Sequence, residues 1–183
     1  PVRARLLADL KSTDDKPADL EPIARWEFDK DLRDSVGEAH GVAFGRAHVA
    51  SGALIVDGQN SYVVTKPLKT ALTAKTLEVW VQLSNLKQRA GGVMTVQTPN
   101  GTVFDSIVFA EQSPQEWLAG SNNFRRTRPF AGTKEASADN DPVHIVIAYH
   151  ADGRIVGYRD GKPYGSGYQS NGLQKFPAGR TTV

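Results

Sequence analysis

Thr76-Leu77-Glu78-Val79-Trp80-Val81-Gln82-Leu83 and Val143-His144-Ile145-Val146-Ile147-Ala148-Tyr149 decide the fold. In the first, Leu77, Val79, Val81 and Leu83 fall on one side, and Glu78, Trp80 and Gln82 on the other. In the second, Val143, Ile145, Ile147 and Tyr149 alternate with His144, Val146 and Ala148. Successive side chains of a strand point to opposite faces, so a period of two marks a strand with one buried side. Outward from these two, Ile23–Phe28 alternates around Trp26 and Phe28, and Ala53–Val56, Tyr62–Val64, Val93–Gln97, Val103–Phe109 and Arg154–Tyr158 read as further strands. Asp57-Gly58, Pro99-Asn100-Gly101, Asp152-Gly153 and Asp160-Gly161 supply the turns, the last leading into Lys162-Pro163-Tyr164. Roughly nine or ten short strands without intervening helical periodicity predict an all-β, two-sheet antiparallel sandwich.

Residues 3–11 carry apolar side chains at positions 4, 7, 8 and 10, the spacing of a short amphipathic helix. The polar stretch 12–22, with two prolines, reads as a linker, so the division expected is helix and linker over 1–22 and one domain over 23–183. A chain of 183 residues can bury roughly 70% of its unfolded surface, enough for one core without crosslinks. With 22 basic against 20 acidic residues, the net charge of +2 gives no reason to expect nucleic acid or an anionic membrane. The absence of cysteine excludes disulfides, thiolate catalysis and cysteine metal sites. No stretch approaches the ~20 apolar residues of a membrane-spanning helix. Pro1-Val2-Arg3 has no starting Met, and Thr181-Thr182-Val183 reads as a strand beginning, so both ends are expected to be fragment boundaries.

Several segments together resemble a known family: Trp26-Glu27-Phe28-Asp29, Asp34-Ser35-Val36-Gly37, His40-Gly41, Gly52–Gly58, Thr76–Val81, His144–Tyr149 and Asp152–Gly161. Their order and spacing resemble the concanavalin A-like, laminin-G-like superfamily in its bacterial form. Gly91–Gln97, Trp117–Ser121 and Phe124–Thr127 are similar to copies carried by large exported bacterial proteins that also hold cytochrome c-like domains. The resemblance implies a jelly-roll sandwich, a location outside the cytoplasm, and partners that are carbohydrates or other domains of the same parent protein. It also implies closing strands beyond Val183.

Glucanases share this fold and need paired carboxylates ~5–5.5 Å apart if retaining. The nearest local match, Glu27-Phe28-Asp29-Lys30-Asp31, runs into the turn Asp34–Gly37, and Glu78 and Glu111 have no acidic neighbour in sequence. No catalytic residues are therefore expected; a glucanase-like hydrolase and a purely structural spacer remain the competing readings. Gly165-Ser166-Gly167 precedes no helix, and His40, His48, His144 and His150 lie too far apart for a sequence-local zinc site. Calcium suits oxygen-rich loops. The candidates are Asp29-Lys30-Asp31 with Asp34, Asp57–Asn60, and Asp139-Asn140-Asp141, the last taken as the metal ligands should calcium bind. For a ligand-binding site, a sugar needs a flat aromatic beside planar amide or guanidinium groups. Trp117 with Asn122, Asn123, Arg125, Arg126 and Arg128 offers that set on a loop, and Tyr164 and Tyr168 offer a second platform.

Overall fold

A computed structural model describes residues 21–183. The helix expected over 3–11 and the linker up to residue 20 lie outside the described residues. The strands in chain order are β1 (Gly41–Phe44), β2 (His48–Ala50), β3 (Ala53–Ile55), β4 (Tyr62–Thr65), β5 (Lys75–Val81) and β6 (Gly91–Gln97). They continue with β7 (Phe104–Phe109), β8 (Trp117–Ser121), β9 (Val143–Tyr149), β10 (Arg154–Arg159), β11 (Lys162–Pro163) and β12 (Tyr168–Gln169). Only a single 3₁₀ turn, Asn122–Phe124, interrupts them among the described residues.

One layer runs β11-β10-β9-β5, with β12 also on β10, and the other runs β6-β7-β8. Every pairing is antiparallel. Leu77, Ile145, Ile147, Tyr149 and Ile155 from the first layer meet Val96, Ile107, Phe109, Trp117 and Ala119 from the second in one buried cluster. This is the two-layer sandwich that the alternation predicts. β9 has the predicted bounds and alternates buried and half-buried residues along its whole length. The β10–β11 hairpin turns on Asp160 and Gly161, both at positive φ, the conformation of a two-residue turn that matches strand twist.

Two expectations differ. Ile23–Phe28 forms only an isolated bridge, Trp26 to Asp34. The Arg25 N–H donates to the Asp34 side chain and Phe28 turns to positive φ, so the segment has no continuous ladder. Conversely, Trp117–Ser121 is a strand rather than part of a loop. All five of its residues are buried, so it shows no alternation.

Two shorter pairs, β1-β4 and β2-β3, flank the sandwich. At the other end of the chain, Thr182 pairs with Gln97 of β6, and the Thr65 N–H of β4 donates to the Val183 carbonyl at 2.9 Å.

Candidate functional site

The aromatic and basic residues singled out above do not make one surface. Trp117 is 1% exposed and packs at 4.8 Å against Phe109. Its indole N–H donates to Glu135 Oε2 at 2.9 Å, so its ring has no face for a ligand. Tyr164 is also buried, with its hydroxyl donating to the Thr133 carbonyl and accepting from the Trp117 N–H. Tyr168 sends its hydroxyl to the Arg126 carbonyl and accepts from the Arg128 N–H; burial, the largest influence on it, pushes its phenol up to about 12. These two tyrosines tie down the loop instead of presenting a platform.

Arg126 is drawn into the interior. Its Nε donates to Asp105 Oδ1 at 2.7 Å, and its outer nitrogen donates to the Phe104 carbonyl and to Asn122 Oδ1. Lys75 reaches the other Asp105 oxygen at 2.7 Å from the facing layer, beneath the rings of Tyr149 and Phe176. Burial pushes the Lys75 amine down, and Asp105 opposes that. Asp105 thus clamps one layer to the other. Asn123, Arg125 and Arg128 are exposed, but the aromatic residues proposed to accompany them are not.

Asp139, Asn140 and Asp141 form a turn. The Asn140 and Asp141 N–H groups donate to the Ser137 carbonyl, and Asn140 Nδ2 donates to Asp139 Oδ1. The Asp139 and Asn140 carbonyls, which a cation would need, already accept from Gln82 Nε2 at 3.5 and 3.1 Å. Calcium takes six to eight oxygens, and in this turn both carbonyls and Asp139 Oδ1 already accept hydrogen bonds. The other acidic loops are likewise occupied. Asp34 accepts N–H bonds from Arg25, Val36, Gly37 and Ala39, which outweigh the effect of burial and hold its carboxyl below the usual range. Asp57 accepts from Gln59, Asn60 and Ser61, and these donors, Gln59 foremost, lower it to about 2. No group of three or more metal-ligating side chains gathers among the described residues.

The paired-carboxylate arrangement is missing from the places where single acids stand. Glu78 projects from the outer side of β5. Glu111 lies beside Gly120, on the opposite outer side of the sandwich, beyond β8. The two acids therefore stand on different layers. Burial pushes the Glu111 carboxyl up, and its Oε2 is buried without a hydrogen-bond partner. Glu27 pairs with Arg25 at 3.9 Å. His40 Nδ1 accepts from the Asp34 N–H, His48 contacts the Arg46 carbonyl, and His150 Nε2 is buried without a partner, so these histidines do not converge. Ser166 lies in an exposed loop.

A different group does converge. On the solvent side of β5 and β9, the register sets Trp80 opposite His144 and Glu78 opposite Val146, with Tyr158 of β10 beyond Val146. The Trp80 ring is 44% exposed and lies on the His144 ring at 4.6 Å and 15°, nearly parallel. His144 Nε2 sits 2.9 Å from Glu78 Oε1. That contact, the largest influence on Glu78, holds its carboxyl below the ordinary range. The Asp160 side chain accepts the His144 backbone N–H and fixes the end of the strand. The result is a flat aromatic held rigid from beneath, with an ionised carboxylate alongside as a hydrogen-bond acceptor. Alternation in the sequence already set Glu78 and Trp80 on one face; the stack with His144 depends on a strand pairing that the local sequence does not encode. Two shallow clefts lie elsewhere, one at Thr98, Asn100 and Arg180 and one at Asn85, Lys87 and Gln115.

The two-layer antiparallel sandwich is a fold of the lectin and glucanase type. Residues 57–182, more than half of the chain, match the family model of the concanavalin A-like lectin/glucanases superfamily, and the chain belongs to that superfamily. No curated protein and no solved structure matches it.

Proposed function

We propose that this domain is a non-catalytic binding module for neutral carbohydrate, with Trp80 as its stacking platform on the outer face of β5, β9 and β10. The observation that carries this reading is the exposed Trp80 ring stacked on His144 beside Glu78. Sugar rings present apolar C–H faces that pack on a flat aromatic, and their hydroxyls donate to a carboxylate. Holding the ring in place before binding reduces the ordering cost. Membership of a lectin/glucanase superfamily supports the ligand class. The resemblance of the middle segment supports a setting in a larger exported protein.

The hydrolase reading has less support. A general acid must hold its proton near neutral pH, whereas His144 keeps the Glu78 carboxyl low. A contact with a neighbouring domain is the second reading, favoured by the exposed apolar pair β1-β4. There, Phe44 and Tyr62 stack at 5.0 Å and 12°, next to exposed Val42.

Calorimetric titration with cellohexaose, laminarihexaose and xylohexaose tests the proposal. At least one should bind, and Trp80→Ala should weaken it about tenfold, the equivalent of ~1.4 kcal/mol for one lost stack. Arg125→Ala and Arg128→Ala should leave it unchanged. Absence of binding to all three, or full affinity in Trp80→Ala, rejects the site; release of reducing ends would establish hydrolysis instead.

A further inference from the structure

Lys75 and Asp105 meet in the interior from opposite layers, Lys75 at the start of β5 and Asp105 within β7. Their side chains are 4% and 0% exposed, and Lys75 Nζ stands 2.7 Å from Asp105 Oδ2. Lys69 and Glu38 approach as closely, but both of those side chains are mostly in solvent, so each charge stays hydrated. The interior pair has no such shell. The Tyr149 and Phe176 ring centres lie 4.2 and 5.0 Å from the Lys75 nitrogen and wall it off from water. Arg126 adds a second cation, with Nε 2.7 Å from Oδ1, so two positive groups share one carboxylate inside the core. Burying ions is costly, and an ammonium placed here gains by giving up its proton. Burial accordingly holds the Lys75 amine below its ordinary value.

A neutral amine held against a carboxyl group is the reacting pair of an amide condensation. With Nζ on Oδ2, the carboxyl carbon lies about 3.5 Å away, the separation of a near-attack arrangement. Arg126 Nε donates to Oδ1, the oxygen on which negative charge develops as nitrogen adds to the carbon. The guanidinium is itself fixed, donating to the Phe104 carbonyl and to Asn122 Oδ1. The Tyr149 hydroxyl is buried without a hydrogen-bond partner among the described residues. Burial first, then the Asp105 charge, push its phenol well up, so it keeps a proton that can be relayed to a departing oxygen.

We propose that Lys75 and Asp105 condense within the folded domain to an amide that joins the two layers covalently. The ammonium first passes a proton to Oδ2, which leaves a neutral amine and a neutral acid. Nζ then bonds to Cγ, the Cγ–Oδ2 bond breaks, and Oδ2 departs as water with a second proton from the nitrogen. The ledger closes without an oxidant, a reductant or an outside reagent. One neutral amide replaces an ammonium and a carboxylate, and its carbonyl oxygen keeps the Arg126 bond. In a chain without cysteine, this bond ties the layers together where a disulfide cannot.

Intact mass under denaturing conditions, followed by a tryptic map, tests the proposal on the purified 183-residue chain. The folded chain should be one water lighter than its sequence, with Thr70–Lys87 joined to Ala90–Arg125 and no cleavage after Lys75. Lys75→Arg keeps a cation at the site but removes the amine nucleophile, and it should show the full sequence mass. Full sequence mass in the folded wild type, or a water loss that persists in Lys75→Arg, overturns the proposal.

Discussion

Replacing Glu135 with Gln should be among the most damaging conservative changes in this domain. The Glu135 carboxylate has no solvent exposure and accepts from Trp117 Nε1, from Arg159 Nε and its outer nitrogen, and from the Ala136, Ser137 and Ala138 N–H groups. Burial alone would raise its pKa, but these donors, Arg159 first among them, hold it at about 2 against an ordinary 4.5. That difference corresponds to about 3 kcal/mol of stability, since one pKa unit is ~1.36 kcal/mol. The folded-state pKa is depressed, so this contribution is fully present above pH 4.5 and is lost as pH falls toward 2. Gln keeps the shape but sets an amide donor against the donors of Trp117 and Arg159 or against the backbone N–H groups, and it leaves Arg159 without its buried partner. The expected cost at pH 7 is about 3–5 kcal/mol, the range for breaking a buried ion pair from one side. Urea unfolding of wild type and Glu135→Gln, read by tryptophan fluorescence at pH 7 and pH 3, measures it. The gap should narrow at pH 3, because the wild type is then losing its own carboxylate contribution. A loss below 1 kcal/mol at pH 7, or a gap independent of pH, would refute the reasoning.

Asp105→Ala strands Lys75 and Arg126 in the interior, where Lys75 and Asp105 side chains are 4% and 0% exposed, and should cost about 3–5 kcal/mol; an unchanged thermal midpoint would show that the two cations find other partners. Gly157→Ala places a methyl 3.1 Å from the Phe130 ring on the inner side of β10 and should cost about 1–3 kcal/mol in denaturant unfolding, whereas an effect under 0.5 kcal/mol would mean that Phe130 shifts freely.

The strands that could be read from sequence are those buried on one side only. Val143–Tyr149 shows every second residue buried, and its bounds coincide with the reading. Trp117–Ser121 stands at the edge of the second layer yet is buried on both faces, and its Gly-Ser ending resembles a loop. That one misreading made Trp117 look like a loop platform, because an aromatic next to Asn122–Arg128 reads as a loop residue until the strand buries it. Arg126 likewise reads from sequence as a ligand contact beside its neighbours; the acid that draws it inward, Asp105, is remote in sequence. Trp80 was visible as an outward residue. The strand register that seats it on His144 is a tertiary property, with no local signal.

The most direct measurement of the account is a ¹⁵N-resolved NMR titration that follows the three tryptophan indole N–H signals as the tightest-binding of the three hexasaccharides is added. The Trp26 and Trp117 indoles are bonded to the Ala39 carbonyl and to Glu135, and their signals should stay in place. The Trp80 signal should shift and saturate, together with the backbone amides of Glu78, His144 and Tyr158. Shifts confined to Asn122–Arg128 or to the turn at Asp139–Asp141, with Trp80 unmoved, would contradict it.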